Sequence, residues 1–208
     1  MGHFNAEEPP LNLCLEFTNT VDWHGSQHPE ERLITYRDLI AWATEHGLVE
    51  KDESNQLLIA AGTRQDEAAT ALARARELRE AIYLIFLAGI EGQPPDPSDL
   101  ETLNTALARA VQGSRLIASE SGYTWGWADP TASLDGLLSP IARSAGALLT
   151  SEKRERVGQC EDDRGCGYLF LDTSKNRSRR WCKMGDCGNR AKQKRYQKRS
   201  RKNSSEIA

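Results

Sequence analysis

Apolar residues follow a helical period through most of the first 150 positions and lose it afterwards. The clearest stretch runs from Asp66 to Ile90, where Leu72, Ala75, Leu78, Ile82, Ile85 and Phe86 fall on one face of a 3.6-residue helix. GQPPDP, at 92–97, ends that pattern, because proline has no N–H to donate and restricts the residue before it. Ser98-Asp-Leu-Glu101 then has the form of a capping box, and Leu100, Leu103 and Leu107 carry an apolar stripe onward. Upstream, Thr35 predicts the N-cap of a helix bearing Leu39, Ile40, Trp42 and Ala43 and stopped at Gly47. A shorter helix fits 52–61. The opening LNLCLEFTNTV suits two periods: Leu11, Leu13, Leu15 and Phe17 alternate, whereas Leu13, Phe17 and Val21 share a helical face. The helix is the preferred reading.

Past residue 114 the character changes. Arg115-Leu-Ile-Ala118 and Tyr123-Thr-Trp-Gly-Trp127 flank Ser-Glu-Ser-Gly, which predicts a β-hairpin with a four-residue loop and with Trp125 and Trp127 on one side. A last body helix is expected from about Ser133 to Ser151, with Pro140 either kinking it or marking its true first turn. About five helices and one hairpin make the fold class mainly α, a multihelical body without internal repeats.

Charge divides the chain more sharply than hydropathy does. Residues 1–150 hold 10 Lys and Arg against 22 Asp and Glu, a net −12; residues 151–208 hold 17 against 8, a net +9. Four of the five cysteines lie in the second part. The expected organisation is an acidic body over 1–152, a basic cysteine-bearing module over 153–203 and a disordered tail over 204–208. Such asymmetry points to nucleic acid or another anion as partner of the basic part, and the opposite charges raise docking of body on tail as a further expectation. With a mean hydropathy of −0.61 and no apolar run near the ~20 residues that span a bilayer, a membrane partner is not expected. The first residues, MGHFNAEEPP, lack the basic and apolar regions of a signal peptide, so a cytoplasmic location with reduced thiols is expected.

Cys160-x5-Cys166-x15-Cys182-x4-Cys187 has the form of two close pairs joined by a short loop. That arithmetic suits a tetrahedral site for one structural zinc ion, because thiolates match its softness and a close pair lets one turn offer two sulfurs. Disulfides or unliganded thiols are the other readings of the same four residues. Four protein ligands leave no open position for catalysis, and neither HxE nor HExxH is present. Between the pairs, an apolar strand over 167–172, a turn, and a return through Arg179-Arg-Trp-Cys182 predict a treble-clef-like module whose folding is coupled to metal. Trp181 reads as part of that module's core. Cys14, alone in an apolar run, reads as a core residue.

After Cys187 the chain continues GNRAKQKRYQKRSRK, a helix with few carboxylates to pair with. Arg190, Lys192, Lys194, Arg195, Lys198 and Arg199 on it, with Arg177, Arg179 and Arg180 on the preceding turn, are the candidate nucleic-acid contacts, since each phosphate neutralised releases counterions. Tyr196 is read either as stacking on a base or as packing on its own module.

Residues 160–199 resemble the CGNR zinc-finger family. The tetrad is intact as Cys187-Gly188-Asn189-Arg190, and around it stand Cys160, Cys166, Phe170-Leu-Asp172, Ser174, Arg180-Trp-Cys182, Met184 and Lys192. Ahead of them, Leu15-Glu-Phe-Thr-Asn-Thr20 and Ala142-Arg-Ser-Ala145 with Leu148-Leu149 resemble the ABATE domain that accompanies this finger, although its pattern favours Asp and Val where this chain has Glu16 and Thr18. The resemblance implies a bacterial, stress-responsive transcription regulator, with the finger on DNA and the body sensing a small-molecule effector.

Within the body, Asn19, Thr20 and His24 form a polar cluster with Asp22 and Trp23. It can be read as a candidate ligand pocket or as a cap and turn, and the turn is favoured, because these residue types bond local backbone. An enzyme is not expected: there is no nucleophile elbow, P-loop or dinucleotide fingerprint, and Glu30 and Glu31 read as charges at a helix start. The leading expectation is a DNA-binding regulator, with dimerisation adding half-site specificity. The rival is an RNA-binding factor using the same module.

Overall fold

The computed structural model describes residues 9–119, 122–127, 132–194 and 196–197, with only the backbone of 117, 119 and 124–127. The body runs α1 (Leu13–Thr18), β1 (Val21–Asp22), β2 (Glu30–Glu31), α2 (Tyr36–Glu45), α3 (Lys51–Thr63), α4 (Gln65–Ile90), α5 (Pro97–Gly113), β3 (Ser114–Ser119), β4 (Gly122–Trp127) and α6 (Leu138–Thr150). A 3-10 turn over Glu152–Arg156 leads into β5 (Val157–Gln159) and β6 (Leu169–Leu171), and a π-helical turn over Met184–Gly188 continues as helix through 194. The chain is mainly helical, as expected, and each of the body helices α1 to α6 falls on a stretch that the sequence pattern marked.

Helix α4 is the central pillar. Its buried face, from Ala71 to Phe86, packs against α1, α5 and α6, and Phe17, Ile82, Ile141 and Leu148 are fully buried where these helices meet. The opening segment takes the helical alternative. Ser144 explains how it is held: its hydroxyl donates to the Pro10 carbonyl at 2.8 Å and accepts from the Cys14 N–H at 3.1 Å, tying α1 to α6 in the core. Cys14 beside it has no exposure, and burial pushes its thiol up to about 12, so it is inert packing.

Local signals set most boundaries. Thr35 and Asp38 form the reciprocal capping box of α2, and Gly47 beyond its end takes φ +68°. For α5 the expected box is displaced: Asp96 is the N-cap, accepting from the Ser98 N–H at 2.8 Å, and Pro97 stands first in the helix, where no ladder bond is lost. Helix α6 starts at Leu138, later than expected, because 134–137 form a turn; Pro140 lies in its first turn. The β3–β4 ladder extends to the Ser119–Gly122 pair, taking in two residues expected in the loop. The side chains of Trp125 and Trp127 lie outside the described residues.

Glu30 and Glu31 do not start a helix. They form β2, paired with β1, and Glu31 receives both terminal nitrogens of Arg79 at 2.7 and 2.6 Å. Arg79 is 3% exposed in the middle of α4, so its charge requires this partner.

The last sheet corrects the expected hairpin. β6 pairs with β5, upstream of Cys160, rather than with 179–182. Asp172 decides this: its carboxylate accepts from the N–H groups of Ser174 and Arg179, at 2.7 and 2.9 Å, which curls 172–179 into a loop instead of a returning strand. Among the described residues a single backbone bond, Glu161 N–H to the Arg180 carbonyl, joins the return to the first cysteine segment, so no ladder forms there.

Candidate metal centre and its basic surroundings

The four tail cysteines converge from two loops. Cys160 and Cys166 lie on a turn held by the Cys160 N–H to the Tyr168 carbonyl at 2.8 Å; Cys182 and Cys187 flank the start of the π-helical turn. Their sulfurs all lie within 4.8 Å of one another, with Cys166 to Cys182 at 3.7 Å and Cys182 to Cys187 at 3.8 Å. A tetrahedron of thiolates about 2.3 Å from a zinc ion has edges of about 3.8 Å. The cysteines are not disulfide-bonded, and three of the four are buried. Donor chemistry and spacing therefore fit a metal ion held by four sulfurs. Hydrogen bonds from Cys166 and Cys182 lower the Cys160 thiol, whereas the close approach of the sulfurs and burial raise those of Cys166, Cys182 and Cys187.

The tetrad after the loop has a physical reason at each position. Cys187 is a ligand candidate. A Cβ on Gly188 would sit 2.4 Å from the Met184 Sδ and 3.6 Å from the Trp181 ring, so a side chain here requires the end of Met184 to move aside. Asn189 donates to the Gly185 carbonyl at 3.1 Å, one turn back. Arg190 reaches the Cys187 sulfur at 3.7 Å and pairs with Asp186 at 2.6 Å and Asp162 at 3.5 Å, joining both cysteine loops. Asp162 is also gripped by Arg164, whose hydrogen bonds hold its carboxyl well below the usual range.

Most of the predicted basic contacts already have partners. Arg177 pairs with Glu155 at 3.6 Å, Arg180 with Glu161, and Lys194 with Asp163. Arg179 lies over the Phe170 ring and donates to the carbonyls of Leu171, Trp181 and Cys182, with no carboxylate among the described residues. Lys192 is exposed and has no ion pair there, and the same holds for Lys175 and Lys183, which the sequence did not single out. Tyr196 is 73% exposed. Trp181 is half-buried against the cysteine cluster. Arg195, Lys198, Arg199 and the 204–208 tail lie outside the described residues.

The polar cluster Asn19, Thr20 and His24 meets the cysteine module. Cys160 N–H to Tyr168 C=O and Asp172 N–H to Arg156 C=O frame the β5–β6 ladder, so the alternation turns the backbone of Leu169 away from β5. Asn19 takes up that edge: its Oδ1 accepts from the Leu169 N–H and its Nδ2 donates to the Leu169 carbonyl, both at 2.9 Å. Thr20 bonds the Phe17 carbonyl at 2.8 Å, a local turn bond, and also accepts from Arg79. His24 stacks on Tyr83 with ring centroids 3.7 Å apart and meets Glu80 at 2.8 Å, while Tyr83 accepts from Gln159 of β5.

Around them the body loop 23–26 crosses the first cysteine turn backbone to backbone. Gly25 N–H donates to the Gly165 carbonyl at 3.1 Å, and a Cβ on Gly167, at φ +70°, would lie 2.3 Å from Gly25 N. Trp23 takes φ 56°, a conformation a bulky residue adopts only when its surroundings enforce it, under the Arg164 guanidinium. Tyr168 donates to Asp22. Val157 and Leu169 belong to the body's hydrophobic core. Hydrogen bonds and packing thus join the module to the body, rather than the −12 and +9 charges alone.

Two family models match the chain. Residues 156–200 match the CGNR zinc finger, and residues 11–152 match ABATE, described as "Putative stress-induced transcription regulator". A search of curated proteins finds no match. Because the ABATE model covers well over half of the residues and the four converging cysteines lie within the second match, the chain belongs to the ABATE family and carries a CGNR zinc finger at its C-terminal side.

Proposed function

We propose that the chain is a DNA-binding transcription regulator whose finger, organised by one structural zinc ion, is the contact surface. The acidic body acts as sensor or oligomerisation unit. The observation that carries this reading is the set of exposed finger lysines with no carboxylate partner among the described residues, Lys175, Lys183 and Lys192. Charges already paired within a module gain little from phosphate, whereas unpaired ones release counterions. Cys160, Cys166, Cys182 and Cys187 would hold the zinc, which supplies the positive charge that four crowded thiolates need and cross-links the two loops. The Arg190 guanidinium then balances the remaining negative charge at Cys187. Nothing in this arrangement calls for catalysis, and no helix among the described residues is long and apolar enough to cross a membrane. A cytoplasmic homodimer is the form we propose.

The test is selection from random duplex DNA beside a structured-RNA pool, using zinc-loaded full-length protein. An enriched DNA motif is expected. Lys183→Gln together with Lys192→Gln should weaken binding and flatten the slope of log K against log salt by roughly 2, at about 0.9 per phosphate contact. Cys182→Ser should abolish binding with loss of zinc; binding retained by a folded, zinc-free variant would refute the mechanism. RNA recognition is a second reading, supported by one observation: the exposed Tyr196 ring on the basic segment is available for stacking on an unpaired base. Enrichment confined to the RNA pool would favour it.

A further inference from the structure

We infer that the cleft between α4, α5 and the start of α6 is a binding site for a small zwitterion of the α-amino-acid type. It encloses about 240 Å³, below the roughly 300–1,000 Å³ of pockets for drug-sized ligands, and so suits a molecule of amino-acid size. Charged groups of both signs line it. Asp135, its side chain 16% exposed, draws Arg74 to 2.7 Å and Arg109 to 3.8 Å, which gathers two guanidinium groups on one side. Glu77 of α4 and Glu101 of α5 also line the cleft, are exposed, and have no ion-pair partner among the described residues.

Ser139 is the second, independent observation. The residue is 6% exposed, it lines the cleft, and its hydroxyl makes no hydrogen bond to the described residues. Its oxygen is left open to the cleft rather than enclosed, so water or a ligand held there can meet it. It stands in the first turn of α6, at the positive end of the helix dipole.

These features choose the ligand class. Two arginines against three carboxylates leave a formal net charge near −1, so a bare anion is repelled. A bare cation would satisfy Glu77 and Glu101 but leave the Ser139 hydroxyl, and the Arg109 donors that do not face Asp135, without an acceptor. A zwitterion matches both: its carboxylate meets Arg109, Arg74 and the Ser139 hydroxyl, and its ammonium meets Glu77 and Glu101. Leu78, Ala106 and Leu138 supply the apolar wall for a side chain.

The site deepens the reading of the body as a sensor, and it is tested without nucleic acid, so its failure is separate from failure of DNA binding. Zinc-loaded full-length protein is titrated calorimetrically with each of the twenty standard L-amino acids, and with butyrate and butylamine as half-ligands bearing one charge each. At least one amino acid should bind more tightly than either half-ligand. Arg109→Gln and Glu101→Gln should each weaken it at least tenfold. Both residues are surface-exposed, so far-ultraviolet circular dichroism and zinc content should stay unchanged, and Ser139→Val provides a third variant that blocks the cleft from within. Absence of binding by all twenty, equal binding by a half-ligand, or binding untouched by the three substitutions would each overturn the proposal.

Discussion

Asn19→Ala isolates the joint between the two parts of the molecule. The Asn19 amide meets both backbone groups of Leu169, 150 residues away, at 2.9 Å on each side. Leu169 is 1% exposed and Asn19 is half-buried beside it, so loss of the amide leaves both Leu169 backbone groups with poor access to water. Leaving a buried donor or acceptor without a partner costs about 1–3 kcal/mol each, so two such groups set a ceiling of about 6 kcal/mol, and the half-buried position of Asn19 brings the expected loss to about 2–4 kcal/mol. For a chain of this size that corresponds to a fall in melting temperature of roughly 5–15 °C. The assay is denaturant unfolding of zinc-loaded protein, with limited proteolysis between 152 and 160 to report release of the finger. Asn19→Asp sharpens the reasoning. It keeps an acceptor for the Leu169 N–H but turns a carboxylate oxygen toward the Leu169 carbonyl, so it should be no better than alanine. A loss under about 1 kcal/mol with an unchanged cleavage rate, or full tolerance of aspartate, would show that this amide does not hold the seam.

The two crowded glycines should behave differently: Gly167→Ala, at φ +70° with backbone 2.3 Å from the new Cβ, should destabilise by about 2 kcal/mol or more, whereas Gly188→Ala meets the mobile end of the half-exposed Met184 and should cost clearly less, as chemical denaturation of the pair will register. Chelation of the metal should lower hydrogen-exchange protection in α1 and α4 as well as in the finger, since Val157 and Leu169 are part of the body core and each buried aliphatic side chain contributes about 1.5–3 kcal/mol; protection confined in its loss to 157–190 would contradict that coupling. Stability should fall with acid through Glu31. Burial by itself would raise its carboxyl, but the Arg79 hydrogen bonds outweigh burial and hold it below 4.5. The charged form therefore stabilises the fold above about pH 4.5, and that contribution is lost as pH falls through the depressed folded value. Glu31→Gln should flatten the stability–pH curve in this window; an unchanged slope would assign the acid sensitivity elsewhere.

What was legible in the sequence was local. Helix α4 could be read from its own apolar period, α2 from Thr35 and Gly47, and the break before α5 from its prolines, because each signal acts within one or two turns of itself. Even the misplaced α5 cap erred by only two residues, where Asp96 and Ser98 competed for the same N–H groups. The metal centre was legible for a related reason: four cysteines in close pairs leave few ways to arrange themselves, and the tetrad around Cys187 carries its own steric and electrostatic logic.

Tertiary structure decided the rest. No periodicity announces that β6 pairs upstream with β5, that Glu31 neutralises a buried arginine 48 positions later, or that Asn19 completes the edge of a strand in the finger. The charge split described a separable acidic body and basic tail, yet Arg164, Arg177, Arg180 and Arg190 turn back on the tail's own carboxylates, and its strands finish the body's core. Local patterns follow from propensity and capping, which a short window of residues fully specifies. Partner choice across the chain follows from which buried polar groups lack water, and that becomes defined only when the core has closed.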